Sequence, residues 1–388
     1  MKKSKLGLLA LAIILMSAIM KTPLSAVSSL LSMIQAQYGL DSGAAGILNS
    51  VPLLAFAVIS LFISTMAQKL GAGKVCLAGM ACSAVGILCC AFLGVTGLYA
   101  GMLLIGISIA VGSVLLPAII KAYFPHHIGP MTSAFATAMS VLPGIAGGIS
   151  VPLAMAFHWN FSMGIWAVAA VVILLLWLPN RNCSITANGE TSQARTVMRS
   201  RMSWWITLLC GMSSLLFYSL LSWLATILQA KGFDGETAGY FSSLFVLIGI
   251  PGSFIIPIVA NKLRNQSVLG VSVGLIYLVG IVLLMLVDSW ALVLIAIILC
   301  GVGTSTVFSY CISSFSIHTK SAADASTLSG MAQSLGYFLG AIGPFVMGKV
   351  FDLTQNWNAS LILLFAAAAA AVIAGWKIGK PYIINQDD

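Results

Sequence analysis

The chain has 388 residues and a formal net charge of +9, and 60% of its residues are hydrophobic while only 7% are charged. A soluble domain carries about 25% charged residues because its surface must face water. This composition therefore excludes a soluble globule and predicts that lipid covers most of the protein surface.

In lipid the backbone must satisfy its own hydrogen bonds, so a chain crosses the membrane as helices or as a closed barrel. Barrel strands alternate in polarity over about ten residues, whereas this chain has unbroken apolar runs of helical length. We predict twelve membrane-spanning helices, numbered spans 1 to 12. They cover residues 6–34, 43–67, 75–93, 98–120, 129–157, 161–178, 204–229, 238–261, 268–287, 291–314, 326–349 and 357–376.

The first apolar run follows Lys2, Lys3 and Lys5, a charge pattern that also begins a secretory signal peptide. The run continues past Lys21 to about Met33, however, and no small-residue cleavage site follows it. We interpret it as a retained first span that also anchors the chain.

The basic residues indicate the orientation in the membrane. Of the 18 basic residues, 15 lie in the N-terminus, in the loops that follow even-numbered spans, or in the C-terminus. Basic residues near span ends are enriched on the cytoplasmic side. We therefore predict a multi-pass protein of the bacterial inner membrane with both termini cytoplasmic. The net charge is then a topology signal, and we expect no nucleic-acid partner.

A polar stretch divides the chain near its middle. We predict a cytoplasmic linker loop at 181–203, between an N-terminal six-helix bundle at 1–180 and a C-terminal six-helix bundle at 204–388. The fold class is thus an all-α polytopic membrane protein with twelve transmembrane helices in two six-helix halves.

The two halves also share short sequence patterns, which predicts that they are pseudo-repeats. The segment 39–46 after span 1 resembles 232–239 after span 7, and each has a turn glycine and an aspartate placed to cap the next helix. The pair Trp159-Asn160 before span 6 recurs as Trp357-Asn358 before span 12. Because the matched spans keep their direction, the repeat is a parallel one.

Lys21 is the most informative single residue. It lies about fifteen residues into span 1, roughly 22 Å along a helix and so near the bilayer midplane. A charge at that depth costs about 2.5–3.5 kcal/mol on the insertion scale, so we expect it to face a polar cavity and to contact an anionic or electron-rich substrate. A structural lysine bonded to carbonyls near Pro23, or one neutralised by burial, is the alternative. The sequence places no carboxylate at this depth, so an anionic substrate is a candidate counter-ion.

The C-terminal half offers polar side chains on two helices. Span 7 has Ser214, Tyr218 and Ser222 at a spacing of four residues, and span 11 repeats that spacing with Ser329, Gln333 and Tyr337. Side chains four residues apart share one helix face. We predict substrate contacts for Ser214, Tyr218, Gln333 and Tyr337, with helix–helix hydrogen bonding as the alternative.

Trp223 and the small residues allow two interpretations each. Trp223, nearer the outer end of span 7, is a candidate gate or a member of the interfacial aromatic belt. Glycine and proline in spans 4, 5 and 11 favour close packing or bending of moving helices. We find no catalytic motif, no metal-ligand spacing and no cofactor fingerprint, so we expect a protein that is not an enzyme and has no cofactor. The eight cysteines are interpreted as small buried hydrophobes.

The whole chain resembles the major facilitator superfamily, and more narrowly the cyanate permease and nitroimidazole transporter family. The strings that carry the resemblance begin at Lys21 in span 1, Gly106 in span 4, Tyr218 in span 7 and Leu328 in span 11. The family usually has arginine where Lys21 stands. The resemblance implies two six-helix bundles that face each other across a central cavity and transport by alternating access.

The expected function is secondary active transport of a small polar or anionic organic solute, either cyanate-like or nitroheterocycle-like. Efflux of drugs or other xenobiotics is the alternative within transport, and a passive solute channel is the alternative of another class. The expected partners are a small-molecule substrate and membrane lipid, and we expect a monomer. A coupling proton is one candidate for the driving ion.

Overall fold

The structure is a computed structural model that describes residues 3–124, 126–184, 194–319 and 322–384. The described residues form helices joined by short connections. The α-helices, numbered α1 to α16, are Lys3–Met20, Thr22–Ser29, Leu31–Tyr38, Ser42–Leu70, Ala72–Phe92, Gly94–Tyr123, Ile128–Phe157, Trp159–Trp177, Ala194–Arg199, Arg201–Ala230, Gly235–Leu247, Ile250–Lys262, Ser267–Leu286, Trp290–Ile317, Ala322–Thr354 and Trp357–Ile378.

Twelve stretches of the described chain are long and apolar enough to cross a membrane, which confirms the predicted number of spans. Span 1 comprises α1 to α3 and span 8 comprises α11 and α12, while each other span is a single helix. Residues 185–193 of the predicted linker lie outside the described residues. The described part of that linker contains the short helix α9.

Two spans that the apolar pattern predicts as continuous are interrupted. Span 1 breaks at Lys21 and Leu30, and span 8 breaks between Leu247 and Ile250. Proline follows two of these breaks closely, as Pro23 and Pro251. Because proline has no N–H and its ring clashes with the carbonyl four residues earlier, it disrupts the helix on its N-terminal side.

The chain forms two compact units. The first comprises Met1–Leu40, Ile47–Asn188 and Leu228–Ser243, and the second comprises Asp41–Gly46, Gly189–Ile227 and Leu244–Asp388. In the first unit span 3 packs on spans 4 and 6, and in the second unit span 9 packs on spans 10 and 12. Spans 3 and 9, which are equivalent in the two halves, therefore have equivalent neighbours, as expected for a duplicated six-helix unit.

The repeat extends to local backbone geometry. Gly39 and Gly232 both have positive φ, 64° and 92°, a conformation that glycine adopts without strain. Asp41 then accepts a hydrogen bond from the Ala44 N–H at 2.6 Å, and Asp234 accepts one from the Thr237 N–H at 2.8 Å. The predicted turn glycines and capping aspartates are thus confirmed at both positions.

The tryptophan repeat has a structural counterpart as well. Three residues after Trp159, the Ser162 hydroxyl donates to the Ser150 carbonyl at 2.8 Å. Three residues after Trp357, the Ser360 hydroxyl donates to the Met347 carbonyl at 2.9 Å. In each half the last span is therefore fastened to the span before it by a serine at the same place in the repeat.

Candidate functional site

Lys21 stands at the break between α1 and α2. Helix α1 ends at Met20, α2 begins at Thr22, and Pro23 occupies the first turn of α2. Lys21 is half-buried, whereas all eight residues of α2 are buried. The sequence thus places a lysine at a discontinuity of a membrane span, within a segment that the rest of the first unit covers.

Lys21 is set apart from the other charged residues by its depth in the membrane. Among the described residues, every other charged side chain in a candidate span lies within two turns of an end of that span. Lys21 lies well inside the span Leu6–Ser29. An ionisable residue at such a depth is a functional-site hypothesis by default because its burial is costly.

A buried polar stripe continues from Lys21 along α2. Ser25, Ser28 and Ser29 are buried, and the Ser28 hydroxyl lies 3.4 Å from the Oδ1 atom of Asn49 in span 2. The Asn49 side chain is 1% exposed, and its Nδ2 atom has no hydrogen-bond partner among the described residues. A buried amide donor without a partner is rare in proteins. Asn49 is therefore a candidate ligand contact that the sequence patterns did not predict.

The sequence spacing of the three buried serines of α2 already indicated part of this polar cluster. The three serines follow one another at intervals of three and one residues, which places them on one side of a helix. Asn49, however, lies in another span. Its proximity to Ser28 depends on how the two helices pack, and a single sequence does not reveal that.

In the second unit, the structure brings Tyr218 and Tyr337 together. Their ring centroids are 5.7 Å apart at an interplanar angle of 48°. One turn before Tyr337, the Gln333 amide donates to the Ser329 hydroxyl at 2.8 Å. Spans 7 and 11 thus join two aromatic rings and a half-buried amide in one cluster. The role of these three residues in substrate binding stays a prediction.

Glycines of span 11 allow this close approach. A Cβ atom at Gly340 would lie 3.0 Å from the Ser214 Cβ and 3.4 Å from the Tyr218 Cδ2. A Cβ atom at Gly336 would lie 3.2 Å from the Cys210 Sγ. The structure therefore gives Ser214 a helix–helix contact, which is the alternative to its predicted contact with substrate.

Trp223 is completely buried within the second unit. Its indole N–H donates to the Pro344 carbonyl at 2.9 Å, and its ring centroid lies 5.1 Å from that of Trp357. A buried indole cannot belong to the lipid-facing aromatic belt, so that interpretation of Trp223 was wrong. In this structure the side chain packs spans 7, 11 and 12 together, and its predicted contact with substrate stays untested.

Among the described residues, no group of three or more histidine, cysteine or acidic side chains converges as a metal site would require. What the described residues do provide is two polar clusters inside apolar helical units, one at Lys21 and one at Tyr218 and Tyr337. Twelve spanning helices in two equivalent halves with polar residues at depth define a multi-pass membrane transport protein.

Comparison with known proteins identifies the family. The chain matches the Major Facilitator Superfamily over residues 8–344, and it therefore belongs to that family. It is 33% identical to the uncharacterized transporter YycB of Bacillus subtilis (strain 168) over 100% of this chain and 97% of the relative. It is 31% identical to the 2-nitroimidazole transporter of Escherichia coli (strain K12) over 97% and 96%. The cyanate transport protein CynX of the same organism is 22% identical over 89% and 91%.

Solved structures agree with this fold. One is a bacterial homologue of the human lysosomal transporter Spinster, crystallised in an inward-facing and unoccupied conformation. It superimposes with a TM-score of 0.78 at 14% identity and covers 97% of this chain and 98% of that one. The xylose transporter XylE from E. coli gives a TM-score of 0.76 at 11% identity, covering 97% and 96%. At these identities the likeness shows the fold alone.

Proposed function

We propose that this protein is a secondary active transporter of a small polar or anionic organic solute in the bacterial inner membrane, with both termini in the cytoplasm. The observation that carries the proposal is the break in span 1 at Lys21. In transporters, discontinuous helices near the bilayer midplane mark substrate sites, because the helix ends offer partial charges there.

Two positive features coincide at this break. The Lys21 ammonium provides a full charge, and the N-terminus of α2 begins at the next residue. A helix N-terminus carries about half a positive elementary charge. The C-terminus of α1, which ends at Met20, carries the opposite partial charge beside this N-terminus, so the Lys21 ammonium is the feature that favours a negatively charged or electron-rich group over a cation or an apolar molecule. The buried serines and the Asn49 amide would add hydrogen bonds to a polar solute.

The tyrosine cluster of the second unit supports a planar solute. Aromatic rings stack on flat π-systems in offset or edge-on arrangements, and Tyr218 and Tyr337 present two rings 5.7 Å apart. Tyrosine hydroxyls and the Gln333 amide can also bond to oxygen or nitrogen atoms of a ligand. We propose Lys21, Asn49, Tyr218, Gln333 and Tyr337 as the substrate contacts.

The named relatives are consistent with such a solute. One is named for 2-nitroimidazole, a flat heterocycle whose nitro oxygens carry partial negative charge, and another for cyanate, a small anion. We propose the same chemical range for this chain. The first name also favours nitroheterocyclic xenobiotics as the solute. Their export is a second candidate function, which would use the same contacts in the opposite direction.

A transport assay tests the proposal. Purified protein is first screened by thermal shift against cyanate, small organic anions and nitroimidazoles. A stabilising compound is then loaded into proteoliposomes, and uptake of its labelled form from outside is measured. An alternating-access transporter shows saturable uptake and counterflow, meaning transient accumulation driven by unlabelled solute inside. Non-saturating flux without counterflow would instead identify a passive channel.

The same proteoliposomes and purified protein test two further proposals. The first is that a proton drives transport: proton-coupled uptake must respond to the direction of an imposed pH gradient. We also propose a monomer, since each half of the chain supplies its own polar cluster. Light scattering of the purified protein tests that proposal, and a stable dimer would contradict it.

A further inference from the structure

A cavity of about 180 Å³ lies in the second unit beyond the ends of its spans. Three segments line this half-open cavity: the connection before span 9, the end of span 10 and the stretch that follows span 12. Arg264 and Lys380 are exposed at its rim. Of the described residues, those that line it include two permanent cations and no acidic side chain. The cavity is therefore suited to an anion.

Hydrogen bonds fix the walls of this cavity. The Gln266 N–H donates to the Gly379 carbonyl at 2.7 Å, and the Ile384 N–H donates to the His318 carbonyl at 2.9 Å. The His318 ring nitrogen Nδ1 lies 2.8 Å from the Tyr382 carbonyl oxygen. Both His318 and Gln266 are more than nine-tenths buried. The cavity is thus a built feature that joins three distant parts of the chain.

Trp376 places the cavity at the level of the membrane interface. It is 44% exposed and stands in the last turn of the apolar span 12, where lipid-facing tryptophan typically lies among the headgroups. Lys377 and Lys380 place their Nζ atoms 4.9 Å and 4.8 Å from its ring centroid. Lys380 therefore both touches the interfacial tryptophan and lines the cavity.

We propose that this cavity binds the phosphate of an anionic phospholipid headgroup, with Arg264 and Lys380 as the charged contacts. Basic pockets at the ends of membrane helices recognise such headgroups. At about 180 Å³ the cavity is well above the roughly 10–15 Å³ that one water molecule needs on the same measure, so it has room for a phosphate group. The acyl chains would remain in the bilayer beside Trp376. The proposal is independent of the transported solute.

Free phosphate offers the same anion, so the experiment must separate the two sources. The full chain is purified in a neutral detergent, and its thermal midpoint is titrated with short-chain phosphatidylglycerol, short-chain phosphatidylcholine or inorganic phosphate. We compare the wild type with the double variant R264Q/K380Q, the charge-keeping variant R264K/K380R and the control K262Q. Lys262, the last residue of α12, is exposed next to the same connection and does not line the cavity.

We expect phosphatidylglycerol to raise the thermal midpoint of the wild type, K262Q and R264K/K380R. It should bind R264Q/K380Q at least about tenfold more weakly, since each basic contact contributes appreciably to such binding. Phosphatidylcholine should have little effect. An equal response to both lipids, or unchanged binding by R264Q/K380Q, would overturn the site. Inorganic phosphate as effective as phosphatidylglycerol would overturn its assignment to lipid. R264K/K380R changes the same two positions and keeps both charges, so its response separates loss of charge from a folding defect.

Discussion

Replacing Asp352 with alanine should destabilise the start of span 2. Asp352, near the end of span 11, accepts hydrogen bonds from the Ser42 N–H at 3.0 Å through Oδ1 and from the Gly43 N–H at 2.7 Å through Oδ2. The first N–H groups of a helix have no partner within the helix. Both donors belong to the first turn of α4. One carboxylate therefore caps a helix that begins some 310 residues earlier.

The expected magnitude follows from these contacts. Removing a helix N-cap costs about 0.5–2 kcal/mol, and the negative charge at a helix N-terminus adds about 0.3–1 kcal/mol. Asp352 is half-buried, so solvent screens part of the charge. We expect Asp352→Ala to lower the free energy of unfolding by about 2 kcal/mol. Asp352→Asn keeps one oxygen acceptor and should lose about half as much.

Unfolding of the purified protein in mixed micelles, followed by tryptophan fluorescence, measures this change. Lys349→Met is the matched control on the same helix. The Lys349 Nζ lies 3.8 Å from the Asp41 Oδ2, and both side chains are more than half exposed, so this ion pair should contribute about 0–1 kcal/mol. The reasoning is refuted if Asp352→Ala unfolds like the wild type, or if Lys349→Met costs as much as Asp352→Ala.

Three further predictions concern packing, the repeat and pH. Gly340→Val should lower the free energy of unfolding by about 1–3 kcal/mol, because the added side chain overpacks against Ser214. Gly330→Ala is the control, since its Cβ atom would meet nothing within 4 Å, and it should not destabilise the protein. The thermal midpoints of the two variants are compared with that of the wild type. Ser360→Ala should lose about 1 kcal/mol with its hydrogen bond to Met347, and a midpoint unchanged from the wild type would contradict that contact. Burial lowers the pKa of His318, and this effect is larger than the rise in pKa caused by hydrogen bonds to two backbone carbonyls. The unfolded chain then binds the proton more readily, so stability should fall as pH drops below about 6.5, and His318→Gln should show a flatter dependence of midpoint on pH.

The fold could be predicted from the sequence because lipid imposes simple rules on it. Twelve apolar runs and the two capping aspartates, Asp41 and Asp234, all appear in the structure where the pattern places them. These features depend only on neighbouring residues in the chain. The breaks at Lys21 and before Ile250 were not predicted, because a count of apolar residues measures the length of a run and not the path of its backbone.

The candidate site was harder to predict because it depends on contacts between distant spans. Helical spacing identified the face that holds Gln333 and Tyr337, but not the contact between Tyr218 and Tyr337. Trp223 was assigned to the lipid interface as one option from its position alone. In the structure Trp223 is buried, and its N–H donates to the Pro344 carbonyl, a partner 121 residues away. Asn49 went unnoticed for the same reason.

The most direct test of the proposed function is substrate binding and uptake by Lys21→Met in proteoliposomes with matched amounts of protein. Methionine keeps an unbranched apolar stem and removes the ammonium, so we predict normal membrane insertion. We also predict at least about tenfold weaker substrate binding, which corresponds to about 1.4 kcal/mol. Lys21→Arg keeps the charge and should retain part of the activity. Transport by Lys21→Met at the wild-type rate and affinity would show that Lys21 is structural, and it would contradict the proposed anion site.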